Sequence, residues 1–347
     1  MKIRSIDSNA IDAMRLPKII ALNDRLYCCK YSLMKILPVC FMISEAEREG
    51  RINKNTTIID STSGTLGLGQ AIACNIKGYN SIIVSDPAMD SNLIRRIEDL
   101  GTKVVIVRKP SPNLGYQGAR LERLHELMKK YPDHYWLCQY DNPHNPGAYS
   151  EVVELLVESL GRFDILVGPV GSGGSMCGMA SYARQLFPGI LCIGVDTIGS
   201  RLFCRNDGKR VLRGLGNSIL PNNLDHSQFD EVHWITASEA YLATRELHRQ
   251  HSLFMGPTSG AAYMVAKWVS EQNPSAKVVV NFPDEGYRYQ GTVYNDSYLK
   301  KNGLLIQSTP PSPRFVTHPD EESTCWSAMQ WSRRSYHEVM RSIGKEI

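Results

Sequence analysis

Short β-rich runs alternate with helical stretches along most of this chain, and that alternation limits the folds it can adopt. The apolar runs lie at 56–60, 80–86, 103–107, 163–170, 191–196 and 277–282. The segments between them, such as LGLGQAIACNIKG and SNLIRRIEDLG, have the apolar periodicity of helices. Repeated strand–helix–strand units predict an α/β fold of two doubly wound domains, with parallel-rich sheets and helices on both faces.

The size and composition of the chain fit a soluble enzyme of two domains that share a cleft. It has 347 residues, 42% hydrophobic and 21% charged, and its net charge of +4 is not gathered into a basic tract. Nucleic acid is therefore not an expected partner. The nine cysteines follow no metal-binding or disulfide spacing. No secretory signal is recognisable, and no apolar stretch approaches the roughly 18 to 20 residues of a membrane span. We expect a cytoplasmic location and no membrane contact.

Two turns that follow strands are rich in small residues, and ligands of parallel sheets bind at such turns. The first covers 61–67 (STSGTLG) and the second 168–175 (GPVGSGGS). The second turn exposes successive N–H groups at the start of a helix, as a phosphate cradle requires. A ligand-free glycine turn is the alternative. The glycines at 64, 67 and 69 resemble a dinucleotide motif only weakly, because no suitable acidic residue follows them.

Five segments in this order resemble the cysteine synthase and cystathionine β-synthase family, which comprises pyridoxal-phosphate enzymes of fold type II. They are TSGTLG (62–67), GSGGS (171–175), GLG (214–216), GPTSGAA (256–262) and PDEGYRY (283–289). The resemblance covers residues 16–300 and implies pyridoxal 5'-phosphate in the cleft of a homodimeric enzyme. It also implies a larger cofactor-anchoring domain (1–37 and 146–302) and a smaller, mobile substrate-loop domain (38–145). Residues 303–347, which begin near a Pro-rich linker, then look like a C-terminal extension.

The resemblance implies that Lys35 is the Schiff-base lysine. The family's lysine precedes a helix with a Met-Ile-x-x-Ala-Glu pattern, which FMISEAER follows here at 41–48. Apolar neighbours predict burial of the amine, and desolvation lowers the pKa of a lysine and makes it nucleophilic. Lys30 is the second candidate.

Other roles carry over from the family one position at a time. The residues implied to hold the cofactor are Gly171, Ser172, Gly173, Gly174 and Ser175 at the phosphate, Thr258 at the pyridine nitrogen, and Thr65 beside the ring oxygen. The residues implied to bind the substrate are Thr62, Ser63, Gly64, Thr65, Gln139 and Gly214. Ser259 replaces Thr258 if the alignment shifts by one position. A hydroxyl at the ring nitrogen makes the ring a weaker electron sink than an aspartate would, which favours elimination chemistry.

Three departures from the family pattern affect the residues around the cleft. Thr65 stands where the family usually has asparagine, the turn before Lys35 is shortened, and the usual Thr-Thr-Gly is missing after residues 145–147. We therefore expect a reshaped pocket for the second substrate.

The implied reaction is β-replacement on O-acetylserine or O-phosphoserine through an aminoacrylate, which gives cysteine or a β-substituted alanine. Segments 86–93, 135–140 and 293–301 favour the branch that makes diaminopropionate precursors for siderophores by adding an amine. Two alternatives are a serine or cysteine β-eliminating lyase and an inactive scaffold that retains the fold. No metal is expected.

Overall fold

The computed structural model describes residues 6–62, 64–112 and 115–345, and the chain divides into two compact units. The first unit contains the chain up to Leu16 together with Leu33–Ala148. The second unit contains Pro17–Ser32 and the chain from Tyr149 onwards. No helix among the described residues is long and apolar enough to cross a membrane.

The elements are numbered in chain order. The strands are β1 (Lys18–Ala21), β2 (Leu26–Lys30), β3 (Thr57–Ser61), β4 (Asn80–Ser85), β5 (Lys103–Ile106), β6 (His134–Trp136), β7 (Ile165–Pro169), β8 (Leu191–Thr197), β9 (Glu231–Ile235), β10 (Val278–Phe282), β11 (Arg314–Phe315) and β12 (Ser327–Gln330). The helices are α1 (Ala10–Met14), α2 (Ile36–Arg48), α3 (Thr65–Lys77), α4 (Ser91–Asp99), α5 (Gly115–Lys130), α6 (His144–Gly147), α7 (Ser150–Leu160), α8 (Gly174–Leu186), α9 (Ala237–His251), α10 (Pro257–Gln272), α11 (Asp296–Lys301) and α12 (Tyr336–Ser342). Two 3₁₀ turns cover His226–Gln228 and Gly286–Tyr289.

The first unit is built on a four-stranded parallel sheet in the order β5-β4-β3-β6. Strand β3 lies inside the sheet, and all five of its residues are buried. Separate apolar clusters cover the sheet, one that includes residues of α2, α3 and α4, and another that includes residues of α5. Because the strands are parallel, their carboxyl ends lie at one edge of the sheet, where the loop at 62–65 begins.

The second unit contains an eight-stranded mixed sheet in the order β1-β2-β10-β7-β8-β9-β12-β11. Its five central strands, in the order β2-β10-β7-β8-β9, pair in parallel. At one edge β1 is antiparallel to β2, and towards the other edge β12 is antiparallel to β9 and parallel to β11. Helices α9 and α10 contribute much of the main apolar core. The glycine turn at 171–175 follows the carboxyl end of β7.

The α/β class with parallel-rich sheets is confirmed, and each of the six apolar runs read from the sequence forms a strand. Strands β1, β2, β6, β9, β11 and β12 were not anticipated. Several of these are short or lie near a sheet edge, so they carry little of the continuous apolar signal that marks a buried central strand.

The structure draws the domain boundaries differently from the expected ones. The chain up to Leu16 and residues 33–37 group with the first unit, because α1 and the start of α2 pack into its core. The residues from 303 onwards belong to the second unit and are not an appendage. Strand β12 pairs with β9, and Trp326 is buried with its Nε1 donating to His233 Nδ1 at 2.8 Å.

Substitution of Trp326 by alanine should therefore lower the free energy of unfolding by about 3 to 5 kcal/mol, because it empties a fully packed aromatic site. Urea unfolding of the full chain measures this change. The matched control is Leu186→Ala, whose side chain is 43% exposed and whose loss should change stability by less than about 0.5 kcal/mol. Equal stabilities of the two variants would contradict the integration of the C-terminal residues into this unit.

Candidate active site

Lys35 lies at the N-cap of α2, where the chain enters a helix whose first residues are buried. Ile36, Leu37 and Val39 are all inaccessible or nearly so, because the apolar face of α2 packs against α3. The residue as a whole is partly exposed, whereas its amine is desolvated by the surrounding protein. Desolvation lowers the pKa of the Lys35 amine to about 8, and the carboxylate of Asp60 opposes this shift. About one amine in ten is then neutral at pH 7, far more than for an ordinary lysine.

Asp60 is a buried acid near Lys35 that the sequence analysis did not single out. It lies on β3 and is only 2% exposed. Its Oδ1 accepts hydrogen bonds from the Ser61 N–H at 2.6 Å and from the indole Nε1 of Trp136 at 3.0 Å. Burial raises the pKa of Asp60 to about 6, although these donors and the charge of Lys35 lower it. The only signal in the sequence was an acid at the end of an otherwise apolar strand.

The loop after β3 brings several of the predicted substrate residues to this edge of the sheet. The Thr62 N–H donates to the Val84 carbonyl at 3.0 Å, and the Thr62 hydroxyl accepts from the Gly64 N–H at 3.1 Å. Helix α3 then begins at Thr65, with Gly64 as N-cap and no side-chain cap. Its first amides are available to an anion, as a carboxylate site requires. Gln139 donates to the Ser61 carbonyl at 3.4 Å. Ser63 lies outside the described residues.

Two glycines of α3 owe their presence to packing. A Cβ at Gly69 would lie 3.0 Å from the carbonyl oxygen of Lys35, and one at Gly67 would lie 3.1 Å from side-chain atoms of Thr62 and Ile83. Only glycine lets α3 approach the backbone at Lys35 so closely. This packing explains the glycine spacing that resembled a weak dinucleotide motif.

In the second unit, the turn at 171–175 forms a tight glycine cradle before α8. Gly173 has φ of +81°, and a Cβ there would lie 2.6 Å from the Asn223 carbonyl oxygen. A Cβ at Gly171 would lie 2.9 Å from the Gly214 carbonyl oxygen. Helix α8 begins at Gly174 without a side-chain cap, so its amides can receive a phosphate. Ser172 is buried and Ser175 is partly exposed, and the hydroxyl of each can donate a hydrogen bond.

Gly214 lies between this cradle and the start of α10, because it is close both to Gly171 and to Thr258. A Cβ at Gly214 would lie 3.8 Å from Cγ2 of Thr258. The next residue, Ser259, is fully buried, and its Oγ has no hydrogen-bond partner among the described residues. A buried hydroxyl without a partner beside Thr258 is what we expect where a bound ligand supplies the missing hydrogen bond. The second unit thus brings together the predicted phosphate residues, Gly214 and Thr258, and the donors present fit pyridoxal phosphate.

Lys30 is anchored by other interactions. Its Nζ forms an ion pair with Glu285 in the second unit, and the Ser32 hydroxyl donates to the same carboxylate oxygen at 3.2 Å. A lysine fixed by a carboxylate is a weaker candidate than Lys35 for covalent attachment of a cofactor.

A buried arginine is a further group that the sequence analysis missed. Arg120 of α5 is 8% exposed, and its Nη1 lies 3.1 Å from Oδ2 of Asp86, which directly follows β4. Its Nε has no hydrogen-bond partner in the described part of the chain. Since the backbone of β4 bonds to Thr62, this guanidinium lies at the same sheet edge as the loop at 62–65.

A possible metal-ligand group lies at the far end of α2. Glu45, Glu49 and His144 bring their ligand atoms within 4.8 Å of one another. Both carboxylates already pair with Arg48, and Glu49 also pairs with Arg51 at 2.7 Å. This charge compensation makes the group an ion-pair network rather than a metal site.

Comparison with known proteins defines the class. The family model described as "Pyridoxal-phosphate dependent enzyme" matches residues 33–284. The chain therefore belongs to the family of pyridoxal-phosphate dependent enzymes, and its cofactor is pyridoxal phosphate.

Among the solved structures that resemble this chain are the following three, each with a TM-score of 0.76. A hydrogen sulfide-producing enzyme from Fusobacterium nucleatum is 28% identical, with 83% of this chain and 99% of that chain covered. An O-acetylserine dependent cystathionine β-synthase from Helicobacter pylori is 26% identical, with 84% of this chain and 100% of that chain covered. An O-acetylserine sulfhydrylase from Entamoeba histolytica shares the fold. It is 21% identical, with 88% of this chain and 100% of that chain covered.

Replacement of Gly69 by alanine should disturb Lys35 directly, because the new methyl group would press on its carbonyl. We expect the free energy of unfolding to fall by about 1 to 3 kcal/mol and the bound cofactor per chain to decrease. Urea unfolding and the cofactor absorbance of the purified protein measure both. Gly189→Ala is the control, because a Cβ there meets nothing within 4 Å. Wild-type stability and cofactor content in the Gly69 variant would contradict the close approach of α3 to Lys35.

Proposed function

We propose that this enzyme catalyses β-replacement on an O-activated L-serine, with O-acetylserine or O-phosphoserine as the first substrate. The observation that carries the proposal is Lys35, a buried amine whose pKa is lowered to about 8. It lies in the same unit as the uncapped helix start at 64–65, which suits the carboxylate of an amino acid. A nucleophilic lysine and an amino-acid carboxylate site are what this chemistry requires.

When bound, pyridoxal phosphate supplies a conjugated ring that accepts electron density from the substrate's α-carbon. The turn at 171–175 and the start of α8 are proposed to hold its phosphate, and Thr258 or its neighbour Ser259 to meet its ring nitrogen. Thr65 is proposed to lie beside the ring oxygen, where its hydroxyl can donate a hydrogen bond. Gly214 is proposed to border the substrate.

The first-unit residues are proposed to orient and deprotonate the substrate. The Thr62 hydroxyl and the Thr65 amide bind the α-carboxylate, with Ser63, Gly64 and Gln139 completing the loop around it. Lys35 first holds the cofactor and then, as a free amine, takes the proton from the α-carbon. Departure of the β-substituent follows, and the second substrate then adds to the β-carbon. A mobile smaller domain would exclude water during these steps.

Two similar proteins support this reaction class. The Helicobacter pylori enzyme is described as O-acetylserine dependent, and the chain covers all of its length at 26% identity. The Fusobacterium nucleatum enzyme, described as hydrogen sulfide-producing, is matched over 99% of its length. We expect a cytoplasmic homodimer.

The second substrate is proposed to be an amino acid that attacks through its nitrogen, as in the synthesis of siderophore diaminopropionate precursors. Such a substrate brings a second carboxylate, which needs its own cation in the site. Arg120 is a buried guanidinium at the sheet edge with an unpartnered Nε. Sulfide would need no such group.

Lys35→Ala should abolish turnover, since the variant loses both the attachment point of the cofactor and the general base. We expect kcat to fall by at least about 10³-fold, together with the loss of the lysine-dependent cofactor absorbance. Spectra before and after addition of O-acetylserine or O-phosphoserine identify the first substrate in the wild type. Lys30→Ala is the control and should keep the spectral response. A response in Lys35→Ala that is lost in Lys30→Ala would transfer the role to Lys30.

Substitution of Arg120 tests the second substrate. Arg120→Met should raise KM for an amino-acid nucleophile by about 10- to 100-fold, by loss of a charge-assisted hydrogen bond, and leave the turnover of sulfide unchanged. Arg120→Lys, which keeps the charge beside Asp86, guards against a folding defect. The control Arg123→Met removes an exposed arginine of the same helix. Rapid sulfide turnover by the wild type, with no product from any amine tested, would exclude an amino acid as the second substrate.

A β-eliminating lyase is the second candidate, favoured by the resemblance to the hydrogen sulfide-producing enzyme. Its signature is pyruvate formed in proportion to the serine or cysteine consumed, with no nucleophile added. The inactive-scaffold alternative predicts that added cofactor produces no lysine-dependent absorbance.

A further inference from the structure

Asp60 has one carboxylate oxygen that its surroundings leave unsatisfied. Oδ1 is anchored by the Ser61 amide and the Trp136 indole, whereas Oδ2 is buried with no hydrogen-bond partner among the described residues. A buried, unpartnered carboxylate oxygen lowers stability, so its presence on β3 calls for an explanation. The two anchors fix the carboxylate plane, and Oδ2 can therefore meet a group that moves or changes charge.

Two titratable groups interact electrostatically with Asp60. One is the amine of Lys35, at the start of α2. The other is the thiol of Cys138, after β6, whose burial raises its pKa to about 12. The thiol is neutral at working pH, so among these two groups Lys35 is the cation whose charge acts on Asp60. The Gln139 backbone also donates toward Asp60.

We propose that Asp60 is a positioning residue for Lys35, whose carboxylate stabilises the lysine in its ammonium form and so strengthens it as a base. The inference rests on the proposed function, in which Lys35 removes the α-proton. The bond from the α-carbon to hydrogen breaks, its electron pair stays with the substrate, and Lys35 Nζ gains the proton. Asp60 receives no proton and remains a carboxylate. The ammonium of Lys35 then returns the proton to the departing group.

The sign of the effect distinguishes this role from a structural one. The Asp60 charge raises the pKa of Lys35 against desolvation, so its removal should move that pKa below about 8. More of the free amine would then be neutral at pH 7, and it should react faster with an external reagent. The same change makes Lys35 a weaker base, and turnover should fall. A merely structural defect would not produce this opposite pair of changes.

The test is the pH profile of Lys35 modification in the full chain after removal of the cofactor. Trinitrobenzenesulfonate is the probe, and the rate at the peptide that contains Lys35 is followed by mass spectrometry. We expect a midpoint near pH 8 for the wild type and about one pH unit lower for Asp60→Asn. At pH 7 the variant should therefore react about five-fold faster. In the reloaded enzyme, kcat should fall about ten-fold.

Two further variants complete the experiment. Asp133→Asn removes an exposed carboxylate of the same unit, whose Oδ1 accepts from Thr56, and should leave the midpoint unchanged. Trp136→Phe keeps the Asp60 carboxyl group but removes one of its hydrogen-bond donors, which raises the pKa of Asp60. Asp60 is then protonated in more of the molecules, so the Lys35 midpoint should shift down by a smaller amount. This variant carries the test if Asp60→Asn does not fold.

An unchanged Lys35 midpoint in both Asp60→Asn and Trp136→Phe overturns the proposal, whatever the turnover. If the wild type instead forms no product from any O-activated serine, the proposed function fails while the modification profile still reports on Asp60. The two failures are therefore distinguishable.

Discussion

The proposed chemistry of this protein depends on the protonation state of one amine, that of Lys35. Lys35 stands at the start of α2, among side chains that exclude water, and the cost of charging it there lowers its pKa to about 8. The nearby carboxylate of Asp60 limits that shift, and burial in turn raises the pKa of Asp60 to about 6. Each group thus reduces the penalty that burial imposes on the other. The glycine at position 69 is part of the same arrangement, since a side chain there would push α3 away from the lysine backbone.

The second unit is proposed to bind the cofactor phosphate at the turn at 171–175, which contains no lysine or arginine. The turn packs tightly against the rest of the unit, because Gly171 and Gly173 allow the carbonyls of Gly214 and Asn223 to approach closely. The residues after 303 help to fix this unit. Strand β12 extends its sheet, and Arg205, in the long connection that also carries Gly214, donates to the Glu322 carbonyl and the Ser327 hydroxyl at 2.7 and 2.9 Å.

Much of the fold was readable from the sequence because its central strands are long apolar runs. All six of the anticipated strands occur, and the class of protein followed from the ordered glycine segments. The edge strands β1 and β11 and the adjacent strand β12 were missed, because a strand at or near an edge need not be apolar on both faces. The C-terminal residues were misread as an appendage for the same reason. A Pro-rich run resembles a linker, and only the pairing of β12 with β9 reveals that the chain returns to the sheet.

The division between sequence and structure is also visible in the site. By itself, the sequence determined the family, the cofactor and the candidate lysine, because these depend on short segments whose residues are adjacent in the chain. It could not single out Asp60 and Arg120 for their proposed roles, since a single acid or arginine carries no local pattern. Those roles depend on burial and on which oxygen or nitrogen is left without a partner, and both are decided by contacts between residues far apart in sequence. Only the tertiary structure determines how far each charge is desolvated, and that desolvation sets the pKa of Lys35.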